Sequence, residues 1–199
     1  GNSMRELQAK LQAPLSVSDI DWRVGMIKQT GTSYGCSLLA YKDSRVDQKR
    51  LDDVFGIFGW SVTYQRDSKG ILQATVSVYD EARDLWVSKT SNGTESFAES
   101  EKGEYSDAFK RACFLWGIGR ELYDMPFIWI NLADREAYSS QGKARTTGQF
   151  RPNEWLWRVD WEYVSKDGYK TGLISAKQGN AWRLKPQPII AQSRAQKIG

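Results

Sequence analysis

Residues 60–79 run Trp60-Ser61-Val62-Thr63-Tyr64-Gln65-Arg66, then Asp67-Ser68-Lys69-Gly70, then Ile71-Leu72-Gln73-Ala74-Thr75-Val76-Ser77-Val78-Tyr79. The outer segments are strand-like and the middle one is turn chemistry. In the last segment Leu72, Ala74, Val76 and Val78 share one face by period-two alternation, the pattern of a half-buried strand. Asp80 to Asp84 turns the chain, Leu85 to Lys89 continues as a third strand, and Ser91-Asn92-Gly93 ends it. The element that covers this meander follows. From Glu101 to Leu122, Tyr105, Ala108, Phe109, Ala112, Trp116 and Tyr123 recur at three- and four-residue steps, giving one helical stripe. Lys102, Asp107, Lys110, Arg111 and Arg120 lie mostly off that stripe. Gly117 and Gly119 weaken the last turns, and Pro126 ends any helix.

Upstream, Arg45 to Phe55 places Val46, Leu51, Val54 and Phe55 near helical spacing, with Gly56 as a stop. Tyr34 to Tyr41 is short and apolar and reads as a strand, and Met4 to Lys10 as a short helix closed by Pro14. Gly1-Asn2-Ser3 precedes the first methionine, reads as an expression scar and is set aside from the fold. Downstream, Tyr138 to Asn153 is rich in Ser, Gly, Gln, Thr and Arg and reads as a loop. Trp155 to Val164 alternates, Asp167-Gly168 is a hairpin turn, and Tyr169 to Ala176 returns as the partner strand. From Lys185 the chain reads as an extended tail. The expected fold is therefore α+β: an antiparallel β-sheet in a β-α-β-β-β-α core with the long helix packed on it, then a C-terminal β-hairpin and tail. The expected division is an N-terminal segment (1–33), a core (34–130), and a loop, hairpin and basic tail (131–199).

Composition narrows the function. The 199 residues are 40% hydrophobic, enough for a sizeable core. No apolar run approaches a membrane span and no leader follows Met4, so a soluble cytoplasmic protein is expected. Two cysteines, Cys36 and Cys113, predict buried reduced thiols rather than a disulfide framework. Histidine is absent, which removes most zinc sites, catalytic triads and histidine acid–base schemes. The net charge of +4 is uneven: from Lys166 onward seven Lys/Arg face one acid, while the rest of the chain is slightly acidic. A basic tail on a near-neutral body suits a polyanion or serves solubility.

No phosphate-cradling GxxxxGK[ST] loop is present. Gly117-Ile118-Gly119 is half a dinucleotide fingerprint in the wrong place, at a helix end. Asp52-Asp53 and Glu99-Ser100-Glu101-Lys102 are the carboxylates that a metal-dependent nuclease would use, although acids at a helix start are favoured by the dipole in any case. The positive signal is Lys110-Arg111, opposite the packing stripe, with Lys102 two turns earlier on roughly the same side. Such a row can track a sugar-phosphate backbone, or simply be a solvated helix face. Nine Trp and nine Tyr allow base stacking, but Trp60 and Trp116 read as core, and Trp155, Trp157 and Trp161 as a buried hairpin face or subunit contact.

Two motifs together resemble a known family. Tyr41, Arg45-Val46, a helix, and Phe55-Gly56-Ile57-Phe58-Gly59-Trp60 form the first. Ser106-Asp107-Ala108-Phe109-Lys110-Arg111-Ala112 with Trp116-Gly117-Ile118-Gly119 and Leu122-Tyr123 form the second. Over Gly35 to Pro126 the chain resembles the Rad52-type single-strand annealing proteins, and its small size resembles the Sak-like phage recombinases. The resemblance implies annealing of complementary single-stranded DNA in recombination and repair, by a homo-oligomeric ring or filament, with no enzymatic step and no cofactor or metal. It implies DNA-binding roles for Lys110, Arg111 and Lys102, with Arg45 as a further basic position. The family's basic residue on the strand before Tyr41 has no clear match, since Thr30 to Cys36 holds no cation, and Lys28 is the nearest. From Trp129 onward no match to the family core is expected. A host single-strand-binding protein and a phage exonuclease are companions by analogy only. Two other classes stay open at this point: a nuclease using Asp52, Asp53 or Glu101, and a non-enzymatic adaptor whose tail binds protein.

Overall fold

The computed structural model describes residues 3–92, 101–124 and 128–154. In chain order the elements are α1 (Met4–Gln12), β1 (Asp21–Thr30), β2 (Ser33–Tyr41), α2 (Ser44–Phe55), β3 (Trp60–Arg66), β4 (Leu72–Asp80), β5 (Leu85–Thr90), α3 (Glu101–Leu115), β6 (Ile128–Leu132), β7 (Ala137–Ser140) and β8 (Lys143–Thr146). The class is α+β with antiparallel strands, as expected. The chain forms two compact units, Gly1–Ala13 with Asp43–Arg120, and Pro14–Lys42 with Glu121–Gly199. The expected hairpin over Trp155–Ala176 and the tail lie outside the described residues.

The first unit is the β3-β4-β5 meander covered by α3. The pairing Trp60↔Val78↔Val87 and Val62↔Val76 brings one apolar row from each strand to the same face. On that face Leu72, Ala74, Val76 and Val78 meet Ala108, Phe109, Ala112 and Cys113 of α3, with Leu51 of α2 and Leu11 of α1 completing the core. Each buried Val or Leu contributes roughly 1.5–3 kcal/mol relative to exposure. The opposite face carries Ser61, Thr63, Gln65, Gln73, Thr75, Ser77, Tyr79, Trp86, Ser88 and Thr90, with hydroxyl pairs Thr75–Thr90 at 2.8 Å and Ser77–Ser88 at 2.7 Å. That face is polar and carries no charge.

Three local devices fix the helices. Asp43 caps α2 by accepting the Arg45 N–H at 2.8 Å. Ser3, set aside in the sequence as a scar, caps α1 by accepting the Glu6 N–H at 3.2 Å. The Arg50 guanidinium donates to the carbonyls of Lys10 (3.2 Å), Leu11 (2.8 Å) and Ala13 (2.8 Å), fastening the end of α1 to α2. The α2–β3 corner uses Gly56 at φ +78°, whose N–H donates to the Asp52 carbonyl at 2.8 Å. At Gly59 a Cβ would lie 2.1 Å from the Phe55 carbonyl oxygen, so only glycine fits. α3 stops at Leu115 rather than Leu122, because Gly117 (φ +93°) and Gly119 (φ +70°) reverse the chain there.

The second unit departs more from expectation. β2 pairs with β1 and β6, not with the meander. β1 occupies a segment to which the sequence reading assigned no element, and its pairing shifts register between Val24 and Ile27. Gly35 leaves room for the Trp129 ring, whose atoms would lie 2.5 Å from a Cβ there. The expected loop over Tyr138–Asn153 contains the β7–β8 hairpin, turned by Gln141 (φ 52°) and Gly142 (φ 79°), both left-handed as in a type I′ turn. Cys36 and Cys113, one in each unit, are fully buried and form no disulfide. Among the described residues no helix is long and apolar enough to cross a membrane.

Gly59→Ala is expected to lower unfolding stability by about 2 kcal/mol or more through overpacking at the corner. Arg50→Ala is expected to cost about 2–3 kcal/mol, because its three hydrogen bonds are charge-assisted and two of the carbonyls are partly buried. Urea denaturation midpoints of the purified variants check both, and unchanged midpoints would contradict the two packing accounts.

Candidate nucleic-acid interface

α3 has one face committed to the sheet. Ala108, Phe109, Ala112 and Cys113 are buried, and by helical geometry Lys110 and Arg111 lie about 130° to either side of that stripe's centre. Asp107 and Phe114 lie between them on the outward side, both only partly buried. Arg111 Nε donates to Asp107 Oδ2 at 2.8 Å, and the Arg111 side chain stays 39% exposed. The Asp-then-Arg order four residues apart is the favourable one for a helix. The pair is only partly exposed, and after solvent screening it contributes about 1 kcal/mol or less. Lys110 is half-buried at the flank of the same helix. Arg120 caps the far end, donating to the carbonyls of Phe114 (2.8 Å) and Leu115 (2.9 Å) while stacking 5.2 Å from the Phe114 ring.

The remaining sequence candidates are not gathered with this pair. Lys102 is in the first turn of α3, eight residues before Lys110. Arg45 stands in the first turn of α2, its side chain 89% exposed and its Nε 3.8 Å from Asp43. Lys28 is exposed on β1, opposite Gly35, in the second unit. A further exposed cation, which the sequence reading did not consider, is Arg23. It is exposed on β1, opposite Leu39, with its guanidinium 5.8 Å from the Tyr41 ring centre. It was hidden because β1 itself was not foreseen; with that strand known, the register to Tyr41 would have found it.

Several other charged groups are engaged locally. Asp52 accepts the Trp60 indole N–H at 2.7 Å, and Asp53 pairs with Lys49 at 2.7 Å. Arg66 and Glu104 form a two-armed bond at 2.8 and 3.0 Å, and that bond holds the Glu104 carboxyl below the usual carboxylate range. Arg66 is thereby engaged by an acid. Among the described residues no group of three Cys, Asp or Glu side chains is placed to hold a metal ion. Gly117-Ile118-Gly119 is a helix terminator, with Ile118 wholly buried in the core.

The aromatic residues divide. Trp60 packs 5.8 Å from Phe109, and Trp116 donates its indole N–H to the Val76 carbonyl at 3.1 Å, so both serve the core as expected. Tyr105 and Tyr123, expected on the apolar stripe, are instead exposed; Tyr105 meets Tyr64 edge-on at 4.9 Å, and Tyr123 lies beyond the end of the helix. Trp86, half exposed, sits 5.5 Å from Tyr79 on the uncharged face of the meander. The cations on the meander's strands, Arg66 and Lys89, therefore lie on the helix-covered face.

Known proteins share this chain's pattern. The profile of the Rad52/22 family double-strand break repair protein matches residues 3–78 and 71–138. The match runs past Trp129, where the sequence resemblance was expected to stop. The chain is 32% identical over 142 residues to the single-stranded DNA-binding protein DdrA of Deinococcus deserti, covering 68% of this chain and 67% of that protein. It is 30% identical over 131 residues to DdrA of Deinococcus radiodurans, covering 66% of this chain and 61% of that protein. The matches thus span about two thirds of those relatives' length. No solved structure matches. The chain belongs to the Rad52/22 family of double-strand break repair proteins.

Proposed function

We propose that this protein binds single-stranded DNA and anneals complementary strands in recombination and repair, without an enzymatic step, nucleotide or metal, as a homo-oligomeric ring or filament. The observation that carries the reading is the Lys110–Arg111 pair on the outward side of a helix whose other side is locked into the sheet. The family membership and the similarity to two single-stranded DNA-binding DdrA proteins support it. Lys102 and Arg45 are proposed as further phosphate contacts in the same unit, and Lys28 as a separate contact on the second unit.

Annealing breaks and forms no covalent bond. It needs strands held extended with their phosphate charge neutralised and their bases free to pair. Lysine and arginine do this by charge and charge-assisted hydrogen bonds to phosphate oxygens, without reading sequence. A few weak contacts per protomer, repeated round an assembly, multiply through effective concentration.

The double variant Lys110→Ala/Arg111→Ala is expected to bind oligo(dT) about ten-fold or more weakly and to reduce the slope of log affinity against log salt by about 1.4, at roughly 0.7 per lost single-strand contact. Fluorescence anisotropy across a salt series measures both; wild-type affinity in the double variant would remove these two residues from the interface. Mixing complementary labelled oligonucleotides with protein in EDTA tests the activity. Acceleration is expected without metal or nucleotide, whereas magnesium-dependent cleavage in place of annealing would favour a nuclease.

Asp107→Asn tests the competition at Arg111. Freed of its carboxylate, the guanidinium is expected to bind oligo(dT) a few-fold more tightly, since the lost ion pair is worth at most about 1 kcal/mol. Weaker binding would mean that Asp107 is needed to hold Arg111 in place.

A further inference from the structure

A second surface of the first unit has a different chemistry. A cleft of about 420 Å³ opens between α1, the edge of β5 and the end of α3, within the roughly 300–1,000 Å³ range of ligand pockets. Its floor is apolar: Leu11 and Val78 are buried, and Val87, Leu115 and the partly buried Phe55 line it beside them. Met4 and Leu7 of α1 form one wall, and Met4 is largely exposed. Three cations, Arg83, Lys89 and Arg120, line the cleft against one acid, Asp80. Each is anchored. Arg83 Nε is 3.3 Å from Asp80, Lys89 Nζ sits 5.0 Å from the centre of the Trp116 ring, and Arg120 is fixed by the last carbonyls of α3.

An apolar floor under a net-positive rim fits a ligand that is acidic and carries one large apolar group. The chain's own segment 155–199 is a poor occupant, because it carries eight Lys/Arg against three Asp/Glu and the rim repels it. Single-stranded DNA fits less well than a peptide. The lining is mostly aliphatic; of its two aromatic rings, Trp116 is already covered by Lys89 with its indole N–H spent on Val76, and Phe55 is partly buried. A peptide places a Leu or Phe side chain on the floor and its carboxylates against Lys89, Arg83 and Arg120.

We propose that this cleft docks a short acidic peptide of a partner protein through one large apolar side chain, at a place separate from the Lys110–Arg111 pair. The inference goes beyond the DNA-binding reading and does not depend on it.

Fluorescence anisotropy with a fluorescein-labelled peptide, Asp-Asp-Asp-Gly-Leu-Phe, on the full chain tests it. Saturable binding is expected. Replacing Leu-Phe with Ser-Ser is expected to weaken it about ten-fold or more, and replacing the aspartates with lysines is expected to abolish it. Lys89→Glu is expected to weaken the peptide about five-fold while leaving oligo(dT) affinity unchanged, with a small loss of thermal stability from its contact with Trp116. Lys110→Ala/Arg111→Ala is expected to leave peptide binding intact, so failure of one reading is distinguishable from failure of the other. The proposal is overturned if no saturable binding appears, or if the Ser-Ser peptide binds equally well. It is also overturned if oligo(dT) displaces the peptide and Lys89→Glu weakens DNA binding, in which case the cleft is a nucleic-acid site. The peptide controls decide the matter even if the variant fails to fold.

Discussion

The small residues of α3 govern the rest of the first unit. Ala108 and Ala112 meet Ala74 and Val76 of β4, and all four are almost completely buried. Alanine at those positions lets the helix lie close on the sheet, while Phe109 reaches sideways to Trp60 at 5.8 Å. Close packing of this kind has little rotational slack, since turning the helix by one residue would force Lys110 or Arg111 towards the core. The outward direction of the two cations is therefore set by the apolar contacts beneath them. The same constraint explains why the helix stops where it does. Ile118 must enter the core, and the chain reaches it through two glycines in left-handed conformations rather than another helical turn.

Elements with an uninterrupted period were legible in the sequence. β4 alternates apolar and polar residues through Val78, and the strand ends expected for β3 match those found. β1 was not legible. Its apolar residues Trp22, Val24, Met26 and Ile27 begin with period two, and the register shift between Val24 and Ile27 then breaks the phase. β6 is five residues long and fully bracketed by other signals, too short for periodicity to separate from a loop. The β7–β8 hairpin was masked by composition: Ser, Gln, Gly, Thr and Arg look like loop, yet Gln141-Gly142 is a tight left-handed turn. Tyr105 and Tyr123 were misplaced because an aromatic ring at helical spacing looks like core whether or not the sheet extends beneath it.

Site residues follow the same logic. Lys110 and Arg111 could be read because a stripe defines its own opposite face. Arg45 and Lys28 depended on family resemblance alone, and they sit on other elements, Lys28 on the other unit. Arg23 depended on a strand pairing that no local pattern announces. The acidic pairs could not be sorted by sequence at all. Asp52 and Asp53 are adjacent, but one holds an indole and the other a lysine, so neighbouring carboxylates are no guide to a shared site.

An acid placed between two cations looks wasteful for a protein proposed to hold DNA, yet annealing makes sense of it. A strand gripped too tightly cannot slide to find its complement. Asp107 holds the Arg111 guanidinium on the helix surface, which on the proposed reading reduces the rotamer entropy lost when a phosphate binds. On the proposed reading it also offers an exchange partner, so that phosphate contacts form and release against a competing carboxylate rather than against water alone. The ion pair is weak enough to yield to phosphate, and the phosphate contact is in turn weakened by the acid's return. Tightness on the proposed reading comes from repetition of such sites around an assembly, which lets any one of them open while the strand stays held.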